Sequence, residues 1–221
     1  MKKTHFAYRF PAMTAVFILV IGMFFQIPVK AEEGLKFLST GEFEKAEAIY
    51  NEILKGDAEN IQAGYYLGIS LLMQEKYKEA LGIFRNLEDN LDNKAVMGAT
   101  EIPTKGQVEI GLVRSYLGLK NYPEAVKHLA TAEKAGTDPA DLHTYRGVCY
   151  LETNKNAEAK EELEKAIELN SQNPHTYYYG GIANIRMGNP QRATELFKMF
   201  LQMAPYAPEA EHAKFLVDTL C

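Results

Sequence analysis

Beyond residue 31 the chain carries four histidines, His128, His143, His175 and His212, and two cysteines, Cys149 and Cys221. Imidazoles and thiols are the side chains best suited to metal binding, nucleophilic attack and proton transfer near neutral pH. Each role needs its groups at particular spacings, and the chain shows no HExxH, CxxC, GxSxG or phosphate-loop pattern. His143 and His175 are separated by little more than the length of a helical hairpin, so neighbouring helices could bring them together, but a metal site needs further ligands beside them. Glutamates in runs such as EELEKAIEL (161–169) can pair with lysine at helical spacing, as Glu161 with Lys165, which makes a solvated helix face rather than an acid–base pair. We therefore expect a non-enzymatic protein with no cofactor and no metal.

A different stretch asks for an explanation. HTYYYGGIANIRMGN (175–189) sets three tyrosines and two glycines inside an otherwise helical pattern. Glycine costs a helix roughly 1 kcal/mol relative to alanine, so adjacent glycines imply that another backbone or side chain comes close. The elements that would do this are legible as a repeat. GEFEKAEAIYNEIL, EKYKEALGIFRNLE, KNYPEAVKHLATAE, NKNAEAKEELEKAI and GNPQRATELFKMFL align on Ala46, Ala80, Ala125, Ala159 and Ala193. The interval between these alanines is 34, then 45, then 34 twice. Gly34, Gly68, Val113, Gly147 and Gly181 stand twelve positions before them, and Tyr50, Phe84, Leu129, Leu163 and Phe197 stand four after. Two helices facing each other across a short turn would meet at the small residues and fill the space beside them with the large ones. On this reading Gly181 keeps its partner helix close to Ala193, and Tyr177 packs within the repeat. Tyr178 points toward the inner surface, and Gly180 has no assigned reason.

The pattern resembles the tetratricopeptide repeat, a 34-residue helix-turn-helix unit. The clearest copy is GYYLGISLLMQEKYKEALGIFRNL, with Leu67, Gly68, Tyr77, Ala80 and Phe84 at the family's positions. The resemblance implies an all-α fold, an α-α superhelical solenoid of about five helix-turn-helix repeats with a C-terminal capping helix. Its units would cover 32–60 (with a truncated first helix), 61–94, 106–139, 140–173 and 174–207. Residues 95–105 form an insertion, read as a loop or as an extended second helix plus loop. Residues 208–221 form the cap, with Pro208 in the first turn, Glu209 and Glu211 at the positive end, and Ala213, Leu216, Val217 and Leu220 on one apolar stripe. Pro205 alone holds the proline that usually ends a unit, Val113 replaces a glycine, and Gly180 replaces a leucine.

In family members the first helices of successive units line a concave face. Carried across, that face includes Tyr65, Ile69 and Met73, then Ile110 and Arg114, Val148, and finally Tyr178, Ile182 and Arg186. The resemblance implies that this groove binds an extended or helical segment of a partner protein. The tyrosines would anchor it, Met73 would adapt to it, and the arginines would orient a carboxylate or carbonyl. The lysine–asparagine clamp of members that grip acidic chaperone C-termini is missing, because Tyr65, Ile69, Ile110 and Arg114 occupy the matching positions.

Lys2, Lys3 and Arg9 precede an uncharged apolar run, 13–25, followed by Pro28, Val29 and Ala31. This is the order of a secretory signal peptide, residues 1–31, cleaved after Ala31. The run is shorter than the roughly 20 residues of a membrane-spanning helix, so membrane association is expected only if the segment is retained. Glu32 rather than a cysteine directly follows the cleavage point, so a lipid anchor is not indicated. Cleavage shifts the net charge from −5 to −9, a balance unsuited to nucleic acid or anionic lipid. The absence of Asn-x-Ser/Thr beyond residue 31 fits a bacterial envelope protein, periplasmic or secreted. Its expected partners are other envelope proteins. The alternative is a self-associating subunit, a homodimer formed through the cap and Cys221.

Cys149 falls mid-helix beside Gly147, where a small buried residue is expected. Cys221 ends the cap about two repeat layers away, too far for the roughly 7 Å Cα separation of a disulfide. A thiol reagent should modify Cys221 alone in the folded mature protein, and protection of both cysteines would overturn this placement.

Overall fold

The computed structural model describes residues 29–93, 103–169 and 171–220, and these are helical apart from short turns and caps. Five helix pairs follow one another: α1 (29–40) with α2 (Phe43–Gly56), α3 (Ile61–Met73) with α4 (Tyr77–Asn93), α5 (Lys105–Gly118) with α6 (Tyr122–Lys134), α7 (Pro139–Glu152) with α8 (Asn156–Glu168), and α9 (Pro174–Arg186) with α10 (Pro190–Met203). A final helix, α11 (Ala210–Leu220), packs on α10. Among the described residues no helix is long and apolar enough to cross a membrane.

Helix starts follow local chemistry. Asn60, Asn121, Asp138 and Asn173 each accept a hydrogen bond from a first-turn backbone N–H, and Thr104 with Gln107 forms a reciprocal capping box. Pro139, Pro174 and Pro190 open α7, α9 and α10, where the missing N–H costs nothing. The turn inside each pair repeats one geometry. Gly41, Glu75, Lys120, Asn154 and Gly188 all take positive φ, between 57° and 78°. The following N–H reaches back five positions into the first helix, as in Lys76 N to Leu71 O at 2.9 Å and Asn189 N to Asn184 O at 2.8 Å.

The packing refines the small-and-large pattern. A Cβ on Gly34, Gly68, Gly147 or Gly181 would come within 2.6 Å of Tyr50, Phe84, Leu163 or Phe197 respectively. The large residue therefore lies directly on the glycine, and the expectation that Gly181 makes room for Ala193 is corrected: the space is needed by the Phe197 ring. Phe84 is gripped from two sides, because Gly111 of the next unit also faces it, with a Cβ clash at 2.4 Å. Gly180 gains an account as well. A side chain there would press Leu196 of α10 at 3.3 Å and Ile167 of α8 at 3.5 Å, at the joint between two units.

Helix α4 bears on the insertion, and one expectation about the cap changes. Helix α4 runs 17 residues, against 14 for α2 and 13 for α6, so the second helix of unit two is extended toward the insertion. Residues 95–102 of the insertion lie outside the described residues, as do 1–28 of the expected leader and Cys221. Pro208 and Glu209 precede α11 rather than forming its first turn. Residues 29–31, expected to end a leader, instead begin α1 and pack on the first unit: Tyr50 Oη donates to the Ala31 carbonyl at 3.4 Å, and Lys30 pairs with Glu52 at 2.5 Å.

The superhelix winds far enough for its ends to meet. A Cβ on Gly41, in the first turn, would lie 2.6 Å from Tyr206 in the segment joining α10 to α11.

Two alanine substitutions should have opposite signs. Gly181→Ala overpacks against Phe197 and should cost about 1–3 kcal/mol. Gly82→Ala, on α4 with nothing within 4 Å of the new Cβ, should stabilise by about 0.5–1 kcal/mol. Urea denaturation of the two variants checks both, and equal effects would refute the packing assignment.

Candidate functional site

The first helices of units two to five, α3, α5, α7 and α9, line the concave side, and the segment between α10 and α11 covers part of it. Two adjoining pockets result, with volumes of about 240 and 430 Å³. They share Met73, Arg114, Tyr145 and His175 as a common wall. Pro208 and Glu209 line the smaller one beside Tyr77 and Tyr179, and Ala204 and Ala207 line the larger one beside Asp141 and Asn173.

Arg114 is the charge at the centre. Its guanidinium reaches Met73 Sδ at 3.7 Å and His175 Nε2 at 3.4 Å, and no carboxylate forms an ion pair with it among the described residues. Because arginine only donates, His175 Nε2 must accept, so the imidazole proton sits on Nδ1. Nδ1 faces Glu209 Oε1 at 3.7 Å, beyond hydrogen-bond reach, and both Nδ1 and Glu209 Oε2 are buried without a partner. Burial first, and then the Arg114 charge, holds the His175 pKa down to about 3, so the ring stays neutral. Burial also pushes the Glu209 carboxyl above its ordinary range, with Arg114 opposing. Asp141 is raised by burial too, against a hydrogen bond donated by Asn173 at 2.8 Å. The shared wall thus carries the Arg114 cation, with Asp141 and Glu209 beside it raised by burial and Lys120 also lining the smaller pocket.

The expected groove residues separate into two groups. Met73, Ile110, Arg114 and Val148 line the pockets. Tyr178 is only 8 % exposed, since Phe197, Phe200 and the cap close over it, and its hydroxyl meets His212 Nδ1 of α11 at 2.7 Å. Arg186 is committed to the preceding unit, donating to the Leu151 carbonyl at 2.6 Å and to Asn156. Tyr65 packs edge-on against Tyr66 and Phe84, and Ile69 and Ile182 pack against buried clusters. Tyr145 and Tyr179 line the smaller pocket instead, one repeat apart and each one position after Thr144 and Tyr178. Their spacing was visible in the sequence, but their facing was not. Glu209 carried no signal for an interior role because it reads as a helix start. His143 turns to Glu162 at 2.8 Å rather than to His175.

His175 has a pH signature. The unfolded chain binds a proton near pH 6.5 while the folded chain resists it down to about 3. Stability from this group is therefore present above the unfolded value and falls as pH drops through that window. His175→Gln, which keeps an acceptor for Arg114, should flatten the decline in urea-denaturation stability between about pH 6.5 and 4. A parallel decline in the variant would overturn the assignment.

Cys149 is buried and free, and burial lifts its thiol to about 11, which suits an inert packing role.

The tetratricopeptide repeat profile matches residues 32–95, 110–174 and 150–208. Comparison with curated protein sequences found no match. Among solved structures, the fold is similar to TTC0263, a tetratricopeptide protein of Thermus thermophilus, at 18 % identity and a TM-score of 0.68 over 88 % of this chain and 98 % of that one. A tetratricopeptide repeat protein from Parabacteroides merdae is similar at 22 % identity and a TM-score of 0.68, over 88 % and 70 %. MamA from Desulfovibrio magneticus is similar at 18 % identity and a TM-score of 0.53, over 81 % and 95 %. Five registered units, the recurrent left-handed turn and the profile matches agree: the chain belongs to the tetratricopeptide repeat family.

Proposed function

We propose that this protein is an exported, non-enzymatic adaptor of the bacterial cell envelope that holds a segment of another envelope protein in its concave groove. The tetratricopeptide fold supports protein–protein interaction in general. The observation that carries the finer reading is Arg114, a half-buried guanidinium with no paired carboxylate among the described residues, set between two pockets. A carboxylate on the partner would supply the bidentate acceptor that the interior lacks. Pockets of about 240 and 430 Å³ accept side chains or an extended segment rather than a whole helix of about 10–12 Å diameter. The extended form of the partner is thus favoured over the helical one.

Cross-linking of the exported protein in an envelope extract, compared with Arg114→Gln, tests this. The captured partner should bind at least about tenfold more weakly to the variant, whereas Tyr65→Ala, outside the pockets, should retain it. Equal capture by parent and Arg114→Gln would move the contact away from the groove.

One observation favours a second reading, self-association through the cap. Phe215 on α11 is 63 % exposed, on a helix whose Leu216, Val217 and Leu220 are already packed inward. Light scattering with and without reductant separates the two, since a stable monomer at high concentration excludes a dimer locked by Cys221.

A further inference from the structure

Three side chains from three helices converge at the joint between units two and three. Glu88 of α4, Glu109 of α5 and His128 of α6 each offer a ligand atom, and these atoms lie within 4.8 Å of one another. Glu109 is 0 % exposed, yet only one of its oxygens is engaged: Oε2 meets His128 Nδ1 at 2.7 Å, and Oε1 has no hydrogen-bond partner. The imidazole is held in place by stacking on Tyr116, with ring centres 5.3 Å apart, and the Tyr116 hydroxyl is fixed by Arg85 at 2.6 Å. A fully buried carboxylate with an open oxygen beside a positioned imidazole is short of a positive charge.

We propose that this joint is a divalent-metal site that takes Zn²⁺, with the Glu88 and Glu109 carboxylates and His128 Nδ1 as ligands and water completing the shell. One imidazole nitrogen with two carboxylate oxygens lies within the zinc ligand set, and the nitrogen disfavours Mg²⁺. Zinc bonds of about 2.0–2.2 Å place tetrahedral donors about 3.3 Å apart. Small side-chain rotations bring the outer donors in, while the 2.7 Å contact between Glu109 and His128 opens to admit the ion. The two carboxylates balance the charge of the ion.

The next joint provides an internal comparison. The register-equivalent residues there are Glu133, His143 and Glu162, the same types with the histidine and one glutamate exchanged. Glu133 has turned away to Arg146 at 2.6 Å, and Glu162 is engaged by both His143 and Lys165. No buried oxygen of these residues is left open there. The open joint is the one where the repeat interval lengthens from 34 to 45. An ion bridging α4 to α5 and α6 would fasten unit two to unit three where the insertion interrupts the array.

The test is equilibrium dialysis of the chelator-stripped full chain against Zn²⁺ alone, with bound metal quantified and thermal unfolding followed in parallel. The parent should bind a single Zn²⁺ and gain thermal stability from it, and excess Mg²⁺ should not displace the ion. Glu109→Gln and His128→Gln should each weaken binding at least about tenfold. Glu88→Gln, at a half-exposed position, should do the same and serves if the buried substitution impairs folding. His143→Gln should leave binding unchanged. No bound Zn²⁺, binding unaltered by the Glu109 and His128 variants, or loss through His143→Gln would each overturn the site. Displacement by Mg²⁺ would overturn the zinc assignment.

Discussion

A large side chain lying on a glycine of the facing helix is the contact on which the remaining structure depends. It recurs as Tyr50 on Gly34, Phe84 on Gly68, Leu163 on Gly147 and Phe197 on Gly181. With no Cβ beneath it, the large side chain settles against backbone, the two helices of a unit draw together, and the alanines in register beside it become fully buried. The left-handed turn between the helices sets their relative direction, and glycine or asparagine meets that demand at Gly41, Asn154 and Gly188. Glu75 and Lys120 adopt the same geometry without such freedom, so tertiary packing overrides local preference there.

Repetition of a fixed unit generates the superhelix, and the superhelix generates the site. Because the turn of unit one meets Tyr206, the concave side is not an open trough but an interior partly roofed by residues 204–209. Covering it changes the chemistry of what lies beneath. Partial burial raises the carboxyl pKa values of Glu209 and Asp141, and full burial beside Arg114 leaves the imidazole of His175 uncharged. The guanidinium keeps its charge under such conditions, so Arg114 stays a cation between the two pockets.

The same physics gives the joints between units their individual character. The repeat places residues of successive units in equivalent surroundings, so a histidine and a glutamate can exchange places, as Glu109 and His128 do with His143 and Glu162, without altering the helix packing. Their neighbours then decide the outcome. Arg146 draws Glu133 toward solvent and Lys165 satisfies Glu162 in place, whereas Glu109 remains inside with an unmet oxygen.

Composition, period and small-residue register by themselves determined the helical class, the repeated units, the cap and the location of the core, because each unit's fold is a local matter of one repeat with its own turn. The burial of Cys149 and Tyr177 followed from the same register. Facing and closure came from the wound array. A one-residue change in register rotates a helical side chain by about 100°, enough that Tyr145 and Tyr179, rather than Tyr178, line the smaller pocket. Whether the C-terminal segment would reach unit one depended on small rotations accumulated over every joint, and no single stretch of sequence records that sum. Glu209 and the meeting of Glu88, Glu109 and His128 were hidden for this reason: their partners lie in other units, and only the wound array brings them together.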